Sequence, residues 1–268
     1  MEPGSIPGGG TKIMKTPIIV STPRTGSNVA LHILYNYLKQ NSLVNNNLEE
    51  FVSLFHGMDH GVEVNNNIIN LTNFREVTDP IEREEKRLWL LDNRDRVILE
   101  RLDLLKRYPA HTFKFITSSQ PQEVYDWVKD NNTCLFVERR QKLAQILSFA
   151  LIFSKQRHYK QGDQVGERVY VPVSWLERFM YQKIKYDTFK KQFDNPRVAY
   201  YEDFVTDDGV NEQAFFDAVG IEPGPNHVPY VPTTIKTPYN EEGRIGLIKN
   251  SDEVLAFVAK HKEILYSE

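Results

Sequence analysis

The sequence predicts an α/β protein of three layers, α/β/α, in which helices cover both faces of a mostly parallel central sheet. Short apolar runs recur along the chain, at residues 17–20, 112–116, 133–137 and 197–201. Between them lie segments with apolar residues at helical spacing, and such alternation closes into a parallel sheet with covered faces. The 268 residues are 40% hydrophobic and 12% aromatic, enough to bury one large core or two small ones.

The first thirteen residues, MEPGSIPGGGTKI, are rich in Gly and Pro and lack the apolar run of a signal peptide. They read as a disordered leader, 1–13, ahead of a single domain over 14–268. Residues 26–40 place Val29, Ile33, Leu34 and Leu38 on one helical face. The Asn-rich stretch 41–47 is a connection, 48–55 a short helix, and 56–79 a surface excursion. Residues 80–107 read as one long charged helix with Leu88, Leu91, Ile98, Leu102 and Leu105 as its stripe. There follow a strand at 112–116, a helix at 122–129, a buried strand at 133–137 and a helix at 141–153. A polar loop at 157–170 leads to a long helix, 174–193, started by a capping Ser174. The remainder is a strand at 197–201, a helix at 211–219, a Pro-rich stretch at 223–239 and a last helix from Ser251.

A formal charge of −3 argues against a general nucleic-acid binder, while leaving room for a local basic pocket. The one cysteine, Cys134, lies inside an apolar run, so no disulfide forms within the chain and a core thiol is expected. The longest apolar candidate for a membrane span, around residues 143–153, is too short and is broken by Gln145 and Ser148. A cytoplasmic protein without a membrane span is expected; a homodimer remains open.

Residues 17–31, PIIVSTPRTGSNVAL, join a strand to a helix through a short polar loop. The first N–H groups of a helix have no intrahelical partner and face whatever sits in the preceding loop. Gly26 allows close backbone approach, Thr25 and Ser27 add hydroxyls, and Arg24 adds a fixed positive fork. The alternative, in which Ser and Thr only cap the helix, leaves Arg24 unexplained, because a cation near a helix N-terminus is unfavourable without an anion. The loop therefore suits a phosphate or sulfate. It is not the nucleoside-triphosphate loop GxxxxGK(S/T), since no Lys follows Gly26.

A second constellation follows the strand at 133–137: Glu138, Arg139, Arg140, then Gln141, Gln145 and Ser148 on one helical face. Ligands of parallel α/β sheets bind beyond the carboxyl ends of the strands, where both this segment and the 22–27 loop lie. Surface ion pairing by the two arginines is the plainer reading of this segment alone. A second anion-suited strand end favours a shared site.

PRTGS followed by an Arg and, eight residues on, a Ser (Arg140 and Ser148) resembles the nucleotide signature of the sulfotransferases that use 3′-phosphoadenosine 5′-phosphosulfate (PAPS). RRQKLAQILSF is similar to the bacterial trehalose sulfotransferase-like branch. VAYYEDF, 198–204, resembles a strand-end segment of many members, and EGRIGLIKN, 242–250, is loosely similar to the loop closing over the nucleotide, with Arg244 as its basic residue. The resemblance implies a P-loop nucleotide-binding-like fold. It implies PAPS as donor and the 3′,5′-bisphosphate (PAP) as product, with no metal. It implies that Arg24, Thr25, Gly26, Ser27 and Asn28 wrap the 5′-phosphosulfate. Arg140 and Ser148 would hold the 3′-phosphate, with Arg139 competing for that place, and Arg244 would close the site.

The family's cytosolic members carry a Lys and a base His on a strand. Here Lys114 survives, as a candidate contact to the sulfuryl group or a solvated charge, and Ile116 stands at the His position. The trehalose-type branch uses a Glu after the first helix, which makes Glu50 the expected base, with Glu49 and His56 behind it; Glu49 and Glu50 also read as plain first-turn helix acids. The acceptor would be a small molecule or carbohydrate hydroxyl. Phe55, Trp89, Trp127 and Trp175 could line its site or belong to the core. The competing functions are a catalytically silent nucleotide-binding protein and a P-loop-like kinase.

Overall fold

The computed structural model describes residues 15–44, 46–47, 62–64, 67–69, 79–107, 111–117, 120–155, 168–206, 208–231 and 241–267. The expected leader, the helix at 48–55, and most of the 56–79, 157–170 and 232–239 stretches lie outside the described residues.

Four parallel strands form the central sheet: β1 (Thr16–Ser21), β2 (Lys114–Ile116), β3 (Asn132–Glu138) and β4 (Arg197–Tyr200), in the order β2-β1-β3-β4. Their apolar runs lack a polar alternation because both faces are covered. Ile18, Val20, Phe113, Phe115, Cys134 and Phe136 face one core, against the helices α3 (Arg94–Arg107), α4 (Gln122–Asn131) and α6 (Val173–Lys190). Ile19, Leu135, Val137 and Ala199 face the other, against α1 (Ser27–Gln40) and α8 (Glu212–Val219). The three expected layers are present. Cys134 is a buried free thiol whose pKa burial pushes up to about 12.

A third core joins α5 (Lys142–Lys155) to α6 and to the C-terminal helices α9 (Glu241–Gly246), α10 (Ser251–Lys260) and α11 (Lys262–Leu265). The segment after α9 is pinned by backbone bonds from Val169 N–H to Leu247 O at 2.8 Å and from Lys249 N–H to Val169 O at 2.7 Å. Among the described residues no helix is long and apolar enough to cross a membrane.

Several sequence expectations need correction. The stretch 80–107 is two helices, α2 (Pro80–Asp92) and α3, separated at Asn93. Asn93 is the C-cap of α2, its N–H and its side-chain amide both bonding to Trp89 O. Leu88 and Leu91, expected in the stripe, are 48% and 41% exposed, whereas Leu90, Val97 and Ile98 are buried. A helical stripe read across a break loses its phase. The helix expected from Ser174 begins at Val173 behind Pro172, whose fixed φ suits helix entry, and no side chain caps it. Within 56–79, two short antiparallel strands pair, Val62–Val64 with Asn67–Ile69.

Candidate functional site

In this strand order the chain leaves β1 toward β2 on one side and returns to β3 on the other. The ends of β1 and β3 therefore flank the point where connections diverge, leaving a crevice at the carboxyl edge. The 22–26 loop lies at one of these ends and the Glu138–Gln141 turn at the other.

The loop follows β1 through a left-handed turn, with Arg24 at φ 66° and Gly26 at φ 80°. Gly26 is required twice over. Its φ disfavours a side chain, and a Cβ there would fall 2.0 Å from the Tyr201 ring. Thr25 is buried and its hydroxyl donates to Thr22 O at 3.2 Å, bracing the loop internally. From α5, the Gln145 amide donates to Thr22 Oγ1 and to Pro23 O, each at 2.8 Å. Gly26 stands at the N-cap of α1, and no side chain caps that helix or puts an acid in its first turn. The capping alternative therefore has no hydrogen bond behind it; within the first turn Val29 N–H donates to Gly26 O at 2.9 Å.

Three arginines converge on this helix end. Arg24 Nε donates to Ser148 Oγ at 3.1 Å, so the first loop and the α5 face meet directly, although the resemblance assigns these two residues to opposite ends of a nucleotide. Arg139, 7% exposed, reaches Arg24 O through Nη1 at 3.5 Å and lies over the Tyr201 ring at 4.7 Å. Arg244, on α9, is buried and carried to the same place. Burial lowers the pKa of Arg24, and the Arg139 charge lowers it further. Arg244 is brought down to about 10 by burial and then by Arg139 and Arg24. Like charges crowded under low solvation are costly unless an anion joins them. Two buried polar atoms at this edge, Arg139 Nε and Ser21 Oγ, have no hydrogen-bond partner among the described residues.

Arg140 points elsewhere. It is exposed, makes a two-pronged pair with the Asp203 carboxylate (Nη2 to Oδ2 at 2.8 Å) and stacks on Tyr200 at 4.3 Å. Of the two candidates for the second guanidinium, the structure brings Arg139 into the cluster and leaves Arg140 outside it. Adjacent residues at a strand end face opposite ways, and spacing alone does not say which faces inward.

Glu202 and Tyr201, on the one-turn helix α7 (Tyr201–Phe204), were not among the expected site residues. The Glu202 carboxylate accepts from the backbone N–H of Arg140 at 3.0 Å and of Gln141 at 3.2 Å, and lies 3.4 Å from Arg139 Nε. The Tyr201 pKa is raised by burial, against the pull of Arg139, Arg24 and Arg244. The VAYYEDF similarity was the sequence signal for this segment.

Lys114 is buried rather than solvated and donates from Nζ to Asn28 Oδ1 in the first turn of α1. Ser27 is buried beside it in sequence, and Asn28 is otherwise exposed. The candidate bases Glu49, Glu50 and His56, and the aromatic Phe55, lie outside the described residues. Trp127 and Trp175 pack against the cores, and Trp89 is half exposed on α2. What the described residues can do chemically is hold a compact, multiply charged anion at the end of α1. Comparisons with protein-family models, with curated proteins and with solved structures found no match, so the site is read from its own geometry.

Proposed function

We propose that the chain is a PAPS-dependent sulfotransferase with a P-loop-like nucleotide site, transferring a sulfuryl group from PAPS to a hydroxyl of a carbohydrate or other alcohol. One observation carries the proposal: buried Arg139 and Arg244 and half-buried Arg24 come together at the uncapped N-terminus of α1, with Ser148 bonded to Arg24. Cations gathered beside a helix N-terminus are the complement of a phosphosulfate.

In the reaction, the acceptor oxygen attacks sulfur in line as the bond from sulfur to the bridging phosphate oxygen breaks. The electron pair stays on the leaving phosphate, giving PAP, and the hydroxyl proton passes to a base. Sulfuryl transfer resembles phosphoryl transfer in its loose transition state, with charge building on the leaving oxygen. Arg24 and the α1 N–H groups neutralise that charge. Lys114, held at the first turn by Asn28, is the cation available to the sulfuryl oxygens. Glu50 is assigned the base, ahead of Glu49 and His56.

Thermal-shift titration with adenosine 3′,5′-bisphosphate, against ATP plus magnesium, tests the donor. Saturating bisphosphate at 100 times its Kd stabilises by about 2.7 kcal/mol, and ATP plus magnesium stabilises far less. No shift with bisphosphate overturns the reading. Incubation with radiolabelled PAPS and a panel of alcohols and carbohydrates tests transfer. Undiminished transfer by Glu50→Gln removes Glu50 as the base.

A further inference from the structure

The two consecutive arginines at the end of β3 are matched by two consecutive carboxylates at the end of β4. Asp203 takes Arg140 outward in a two-pronged pair over Tyr200. Glu202 does something different. Its carboxylate gathers the backbone N–H groups of Arg140 and Gln141, at 3.0 and 3.2 Å, and stands 3.4 Å from Arg139 Nε. The same carboxylate therefore braces the turn ahead of α5 and lies in ion-pair range of the guanidinium, without a hydrogen bond to its Nε. Arg139 faces Arg24 and Arg244 as like charges, with Tyr201 beneath its plane. Without a counter-charge, Arg139 would be the cation expelled from this group while the site is empty.

We infer that Glu202 is a positioning residue, pre-setting Arg139 in the anion site by bracing the turn that carries it and supplying the charge opposite it. This rests on the anion-binding reading of the arginine cluster. Two helices begin at the two central strand ends. Neither has an acid in its first turn, and at the second Glu202 braces the turn ahead of the helix. Pre-organisation lowers the ordering that a ligand must otherwise impose, and this is Glu202's contribution to affinity.

The substitution Glu202→Gln tests this: it removes the charge opposite Arg139 and keeps an oxygen acceptor for one of the two N–H groups, which bond to different oxygens of the carboxylate. Calorimetric titrations with inorganic pyrophosphate and with adenosine 3′,5′-bisphosphate are run on the wild type, Glu202→Gln, Arg139→Ala and the double variant, each checked for an unchanged melting profile. The expected result is about tenfold weaker binding for Glu202→Gln in the wild-type background and no further loss in the Arg139→Ala background, because residues acting through one another are not additive. A merely structural Glu202 gives additive losses in the double variant. Unchanged or tighter binding by Glu202→Gln, or additive losses, overturns the positioning role while leaving the anion site standing. Wild-type protein that binds neither probe overturns both. Should Glu202→Gln fail to fold, the arginine Nε–H resonances of the wild type decide: an Arg139 signal that is ordered before anion is added supports the role, and one that is ordered only afterwards overturns it.

Discussion

Glu138 and Arg139 are neighbours at the end of one strand, yet they belong to buried charge clusters of opposite character. Glu138 is surrounded by its own partners: Tyr186 donates to it at 3.1 Å, Lys190 donates to the same oxygen, and Lys142 lies 3.4 Å from the other. Beside it, Lys183 is held by Asp187 at 2.6 and 2.7 Å and by Ser267. On the other side of the strand end, Arg139 meets Arg24 and Arg244, with Glu202 as the nearby carboxylate. Burial alone would raise the Glu138 pKa, but the Lys190 hydrogen bond, the Lys190 and Lys142 charges and Tyr186 outweigh it and hold the carboxyl low. Arg24 and Arg244 are instead lowered by burial and then by the charge of Arg139. A buried cluster that neutralises itself is part of the scaffold, whereas one rich in like charge is a candidate to take a counter-ion from outside.

The largest expected effect lies in the self-neutralised cluster. Glu138→Ala leaves Lys142 and Lys190 without their shared carboxylate, and loss of one buried partner costs about 3–5 kcal/mol, read as a lower midpoint in urea. Next comes Arg244→Met, which keeps apolar volume and removes one repelling charge. It should leave stability equal or raised by about 1 kcal/mol and weaken bisphosphate binding by about 1.5–3 kcal/mol, the worth of a charged hydrogen bond. Opposite signs in urea unfolding and calorimetry support the contrast; a parallel loss in both breaks it.

A pH series sharpens the comparison further. The folded Glu138 carboxyl titrates below its ordinary value of 4.5. Its stabilisation is therefore complete above that value and is lost as pH falls through the lowered one. The acid limb of the melting temperature should flatten in Glu138→Gln relative to wild type. The smallest effect belongs to the exposed pair outside both clusters: Asp203→Asn should change stability by less than about 1 kcal/mol.

What was legible in the sequence was contiguous. The strand, the PRTGS loop and the helix after it are local, and the two-turn face of α5 carrying Gln145 and Ser148 is the one that meets the loop. Four strands and their covered faces followed from apolar runs too long in phase to be half exposed. Less legible was anything set by tertiary approach. Whether Arg139 or Arg140 turns inward depends on carboxylates more than sixty residues away. The second requirement on Gly26 comes from the Tyr201 ring, not from its own turn. Lys114 read as a sheet-end charge because its partner, Asn28, sits on another element. The break at Asn93 was hidden by a charge pattern that suits one helix as well as two.

The central claim is that the arginine cluster at the head of α1 exists to hold an anion. Calorimetric titration of adenosine 3′,5′-bisphosphate into wild-type protein and Arg24→Ala tests it most directly. The account predicts saturable binding to one site, weakened at least about tenfold in the variant. Absence of binding to the wild type, or equal affinity in the variant, would contradict it.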